Sequence, residues 1–231
     1  MAWQTSPGAY YRNHQTILIL KTDGLIFDLD GTLWDASASC VMAWNKALEN
    51  KGVKDFVITQ QLAHAFAGKL MDDIFNQYFL FLPKEEYQAM TNAYAEQEKF
   101  HMKEYGGVLY PDVRELLTEL SEKYPLFIVS NCLSGYIENF LQQQQLEHLF
   151  TDYECSGNTG KPKAENIAAI ITRNQLQSPV YVGDTMGDFD AAKKNQLPFI
   201  YAEYGFGTVE GHDYTINHFR QLKDILETFY V

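Results

Sequence analysis

The stretch Gly24-Leu25-Ile26-Phe27-Asp28-Leu29-Asp30-Gly31-Thr32-Leu33 constrains what this chain can fold into more than any other part of it. Leu25, Ile26 and Phe27 have the length and β-forming character of a short buried strand, and Gly31-Thr32 ends it. At the carboxyl end of a strand in an α/β sheet, side chains leave the core and enter the crevice where ligands bind. Asp28 and Asp30 stand two residues apart, so both address one small volume. Adjacent carboxylates repel and call for a compensating cation or a shared proton. A hard divalent ion such as Mg2+ suits an oxygen-only ligand set of this kind. Taken alone, Asp-x-Asp before a glycine reads as a solvated turn; the rest of the chain has to decide.

After this turn the pattern is helical. Val41, Trp44 and Leu48 recur at helical spacing, as do Leu62, Ala63 and Phe66, then Ile74, Tyr78 and Phe79. Pro83 opens a longer pattern through Tyr87, Met90, Tyr94 and Phe100, which Gly106-Gly107 closes. From Tyr110 onward helices alternate with short apolar runs: Leu126 to Val129, Tyr153 to Cys155, Val180 to Val182, and Phe199 to Tyr201. Such alternation is the signature of a parallel sheet with crossover helices. A last amphipathic helix is expected over Ile216 to Phe229. The predicted fold is therefore α/β, a Rossmann-like parallel sheet core built from residues 23–35 and 107–231, with a helical cap inserted over 36–106. Residues 1–22 form an N-terminal extension whose one apolar segment, Ile17 to Leu20, suits an edge strand or a surface position equally.

A chain of 231 residues with 46% apolar content supports one good core plus a smaller second unit. Its net charge of -12 argues against nucleic acid or an anionic membrane as partner. Three widely spaced cysteines, Cys40, Cys132 and Cys155, follow no metal-ligand pattern and read as free thiols of a reducing cytoplasm. No apolar run is long enough for a signal-peptide core or a membrane span. Monomer and homodimer both remain open.

In strand order the chain delivers four stations to one sheet edge: Asp28 and Asp30, Ser130-Asn131, Lys161, and Gly183-Asp184. Taken singly each has a plainer reading. Ser130-Asn131 is a common helix start, Lys161-Pro162 a surface lysine before a loop proline, and Asp184 and Asp188 are helix caps. Together they resemble the four motifs of the haloacid dehalogenase-like (HAD) hydrolases, with the helical insertion where that family carries its cap. Tyr204-Gly205-Phe206-Gly207 and Asp213 are similar to the phosphoglycolate phosphatase-like branch.

The resemblance implies a Mg2+-dependent phosphatase acting on a small phosphorylated metabolite: phosphoglycolate, a sugar phosphate or a nucleotide. It makes Asp28 the nucleophile that forms an aspartyl phosphate, and Asp30 the acid and then base. Mg2+ is held by the Asp28 carboxylate, the Asp30 carbonyl and Asp184, with Asp188 directly or through water. Gly31, Ser130, Asn131 and Lys161 hold the phosphoryl oxygens. Asp30 separates the chain from the dehalogenases, which lack an acid there. Ala164 replaces a second proline common in the lysine motif. Two other readings stand beside this one: a β-phosphoglucomutase-like phosphomutase, and a non-catalytic binding protein on a HAD scaffold. Gly68-Lys69 is the place in the cap to look for specificity, Lys69 equally being an ordinary exposed cation. Trp34 and Trp44 read as packing, His64, His101, His148, His212 and His218 as structural or solvent-facing, and Asp190 as a surface charge.

Overall fold

The computed structural model describes residues 22–228. The expected extension, apart from Thr22, lies outside the described residues. In chain order the elements are β1 (Leu25–Phe27), β2 (Trp34–Asp35), α1 (Ser37–Asn50), α2 (Gln60–Phe66), α3 (Met71–Tyr78) and α4 (Tyr87–Glu104). Then follow β3 (Val108–Leu109), α5 (Val113–Ser121), β4 (Leu126–Ser130), α6 (Tyr136–Gln144), β5 (Phe150–Cys155) and α7 (Ser156–Thr159). The chain continues through α8 (Lys163–Arg173), β6 (Val180–Gly183), α9 (Met186–Lys194), β7 (Phe199–Ala202), β8 (Tyr214–Ile216) and α10 (Gln221–Thr228).

Six strands form one sheet in the order β5-β4-β1-β6-β7-β8, and every pairing is parallel. The strands read as apolar runs because both faces of a parallel sheet are covered. Alternation then decides which core each residue joins. Leu25, Phe27, Leu126, Ile128, Val180 and Val182 pack into one hydrophobic cluster with α5, α6 and α10. Ile26, Phe127, Val129, Tyr181 and Phe199 pack into the other with α8 and α9. Leu25, Ile26 and Phe27 are fully buried, each worth about 1.5–3 kcal/mol relative to exposure.

Helices α1 to α4 bury a third cluster around Trp44, whose ring stacks on Tyr94 at 3.9 Å between centroids. Trp34 does not begin this helical run. It lies in β2, paired antiparallel with β3, so a two-stranded link stands at both passages between the sheet and the helices. Trp34 belongs to the sheet core, its ring edge-on to Phe140 at 4.8 Å. At the other end, Tyr214–Ile216 extends the sheet beside β7, and α10 starts only at Gln221. The helix expected over Ile216 to Phe229 thus begins five residues later, and the alternating Tyr-Thr-Ile before it is a strand signal. No helix among the described residues is long and apolar enough to cross a membrane.

Candidate active site

The three central strands β4, β1 and β6 end side by side, and the residues just past them meet. Asp28 follows β1, Ser130 ends β4, and Asp184 follows β6. Asp28, Ser130, Asp184 and Asp188 are all buried. One carboxylate oxygen from each of Asp28, Asp184 and Asp188 lies within 4.8 Å of the others. Gly31 makes this approach possible. Its φ is +88°, and a Cβ there would stand 2.1 Å from Asp184 Oδ2; only glycine accepts both conditions. Gly205 closes the other side, where a Cβ would come 2.3 Å from that of Asp184.

The lysine of the site is not the one expected. Lys161 is exposed, with its ammonium 3.9 Å from Glu165. Its backbone is fixed by Thr159 and Asn166, facing its side chain to solvent. Pro162 follows at the N-cap of α8, and Lys163, two residues on from Lys161, is the helix's first residue. Lys163 is 3% exposed and donates to Asp28 Oδ1 at 2.6 Å and to Asp188 Oδ1 at 2.5 Å. The sequence held the signal, since Lys163, Asn166, Ile167 and Ile170 recur at i, i+3, i+4 and i+7 on the buried face of α8.

Asp188 has a full set of partners. Besides Lys163 it accepts from the Thr185 amide at 2.9 Å and the Thr185 hydroxyl at 2.6 Å, closing a capping box on α9. The Tyr181 hydroxyl adds a fourth donor at 3.3 Å. Asp184 accepts from the Phe206 amide at 2.7 Å and, at 3.4 Å, from Thr32. Asp30 is partly buried; its Oδ1 accepts from Tyr136 Oη at 2.6 Å and from the Trp34 indole at 3.0 Å. The Gly31 amide donates to the Trp34 carbonyl at 2.9 Å, so it closes a turn and is not free for a phosphoryl oxygen. The amides of Leu29, Asp30 and Asn131 meet no acceptor among the described residues. Ser130 Oγ accepts from the Cys132 amide at 3.3 Å, which leaves its own proton to donate.

Electrostatics follow from this crowding. Burial, with Asp188 beside it, pushes the Asp28 carboxyl up to about 7 against the pull of Lys163. Burial pushes Asp30 up to about 6, with Tyr136 and Trp34 opposing. Asp184 is raised by burial and then by Asp188 and Asp28, whereas Lys163 is held well above its ordinary value by Asp188 and Asp28 despite burial. Three buried carboxylates against one ammonium leave a negative excess that a dication would offset.

A cavity of about 90 Å³ lies between this edge and helices α1 to α4. Asp28, Asp30 and Ser130 line one side; Lys69, Tyr94 and Glu98 line the other. The helices touch the edge at several points, Leu133 packing into their core among them. Asn131 Nδ2 donates to the Gly68 carbonyl at 2.8 Å, and His64 stacks on Phe206 at 4.3 Å. Lys69 carries no ion pair among the described residues.

A family model of haloacid dehalogenase-like hydrolases matches residues 25–202. A phosphoglycolate phosphatase of Aliivibrio fischeri is 28% identical over 194 residues, covering 79% of this chain and 84% of that protein. One from Aquifex aeolicus is 25% identical over 218 residues, covering 90% and 98%. Among solved structures, one described as a predicted phosphatase from Clostridium acetobutylicum superposes with a TM-score of 0.80 at 24% identity, over 89% of this chain and 99% of the other. With sheet, strand-end carboxylates and buried lysine in the same chain as that match, the protein belongs to the haloacid dehalogenase-like hydrolases.

Proposed function

We propose that this enzyme is a Mg2+-dependent phosphatase that cleaves a small phosphate monoester through a phosphorylated Asp28. The observation that carries the reading is Lys163, buried between Asp28 and Asp188 beside a cavity that Asp30 and Ser130 also line. Phosphoglycolate phosphatases among the relatives point the same way.

In the first step an Asp28 oxygen attacks phosphorus, and the leaving oxygen takes the proton of Asp30. A pKa of about 6 keeps a useful fraction of Asp30 protonated near neutrality. In the second step Asp30 takes a proton from water, the resulting hydroxide attacks phosphorus, and phosphate leaves with Asp28 restored. Lys163 fixes the Asp28 carboxylate and offers positive charge to the phosphoryl oxygens, while Asp188 positions Lys163. The amides of Leu29, Asp30 and Asn131 and the Ser130 hydroxyl hold the other oxygens. Asp28, Asp184 and the Asp30 carbonyl would hold Mg2+, which supplies charge neutralisation between nucleophile and phosphoryl group. All four donors around Asp188 argue for it as a bracket of the site rather than a direct ligand. Residues 36–106 act as a cap that excludes water in the first step and admits it in the second. The three free thiols suit a reducing cytoplasm.

The test is hydrolysis of an aryl phosphate with and without Mg2+, using Asp28→Asn as control. Phosphate release that requires both Mg2+ and Asp28 is expected; equal rates in the variant would remove the reading. Isomer formation from a sugar phosphate in place of phosphate release would identify a mutase.

A further inference from the structure

Helix α4 buries Met90, Tyr94, Glu98 and Met102, one residue per turn. Three of the four are ordinary core residues; the third is a carboxylic acid, 8% exposed. The other buried acids all have strong donors. Asp28 and Asp188 share Lys163, Glu154 pairs with Arg173 at 2.7 Å, and Asp184 accepts the Phe206 amide. Glu98 alone among the described buried carboxylates has neither a cation nor a backbone donor, only the Tyr94 hydroxyl one turn earlier. A carboxyl in an apolar row lowers stability relative to a leucine there, so its presence points to use. It faces the same cavity as Asp28.

Its position within that cavity says which part of a substrate it meets. Asp30 is among the charged neighbours of Glu98, and Asp30 is the group that attends the leaving oxygen. Lys69 belongs to the loop whose Gly68 carbonyl is bonded to Asn131, on the phosphoryl side. The leaving group therefore lies against Glu98, Tyr94 and Asp30, with Lys163 and Lys69 toward the phosphoryl side.

We propose that Glu98 is the specificity-determining residue, and that the substrate is the phosphate ester of a short, uncharged polyol rather than of a hydroxy acid. This rests on the phosphatase reading above and narrows it. A hydroxyl satisfies the carboxyl as donor or acceptor. A carboxylate on the leaving group loses its water there beside two buried carboxyls and gains no counter-ion from them in a site of low dielectric. The cavity, at about 90 Å³, takes a short chain more readily than a nucleoside.

The experiment measures kcat/KM with Mg2+ for glycerol 1-phosphate, 2-phosphoglycolate and an aryl phosphate, in wild type, Glu98→Gln and Glu98→Leu. Wild type should favour the glycerol ester over phosphoglycolate by about tenfold, the scale of one buried hydrogen bond. Glu98→Leu should bring that ratio to within about threefold of one, while Glu98→Gln, which keeps a donor and an acceptor, should retain most of it. Glu98→Leu should also melt higher than wild type, a gain that a merely structural carboxyl would not give. A wild-type preference for phosphoglycolate, or a ratio unmoved in both variants, overturns the proposal while leaving the phosphatase intact. No turnover of any of the three esters by wild type overturns both.

Discussion

Replacing Lys163 by Ala removes the ammonium that Asp28 and Asp188 share, while replacing Lys161 removes a solvated charge 3.9 Å from Glu165. Taking one partner from a buried pair leaves its counter-charge uncompensated and costs about 3–5 kcal/mol. Lys163→Ala should therefore melt well below wild type and lose about 10³-fold in kcat/KM, the scale of one lost oxyanion donor. Lys161→Ala should match wild type within about twofold, as exposed pairs contribute little. Melting curves and aryl phosphate kinetics on both variants check this, and the opposite ranking would return the role to Lys161. The misreading has a physical origin. Lys-Pro looks like the motif in print, but proline ends a loop, and the helix face that follows decides which lysine is buried. That Asp28, Ser130 and Asp184 come together was legible because each ends or directly follows a strand, where geometry leaves one direction open. The Gly31 amide was not, since its acceptor is a carbonyl three residues on, and turn closure leaves little trace in residue type.

Elements carry the next level. Five of the sheet's six strands were legible as short apolar runs, β8 being the exception, and α1 to α4 as helices from their period. The β2–β3 link was not, because two-residue strands are shorter than any period. The docking of the helices on the sheet edge also left no pattern in sequence, since two of its contacts are a backbone carbonyl and a ring stack. Gly68 sits at that contact with φ of +72°, and a Cβ there would stand 2.9 Å from Thr185 Oγ1. Gly68→Ala should therefore strain the loop and push the helices off the edge, since an L-residue with positive φ costs about 1–2 kcal/mol before the clash. The expected result is a fall of about tenfold or more in kcat/KM. Scattering should show a more open particle with substrate analogue bound. An unchanged kcat/KM would mean that closure does not use this contact.

At the scale of the whole molecule, buried acids set the response to pH. Asp28, Asp30 and Glu98 reach about 7, about 6 and about 8, against ordinary values of 3.8, 3.8 and 4.5. From about pH 4 to pH 8 the folded protein thus holds protons that the unfolded chain has released, so stability is full at the acid end and falls as pH rises. Lys163 contributes in the same sense, but its window opens only above its ordinary value of 10.5. Asp152 and Glu119, both lowered by their cation partners, lose their contribution only as pH falls below the ordinary carboxylate range. Metal-free protein should therefore melt several degrees lower at about pH 8.5 than at about pH 5.5. The net charge of -12 pushes the same way through surface repulsion, but salt screens that part and leaves the buried groups untouched. The drop should survive about 0.5 M NaCl. A bound dication favours the ionised carboxylates and stabilises the fold by mass action. Mg2+ should accordingly raise the melting temperature more at the alkaline end, flattening the profile. Melts in chelator and in Mg2+ across this range read it directly. A metal-free protein whose melting temperature climbs with pH would mean that these carboxyls are ionised without a partner, and the charge balance assigned to the site would be wrong.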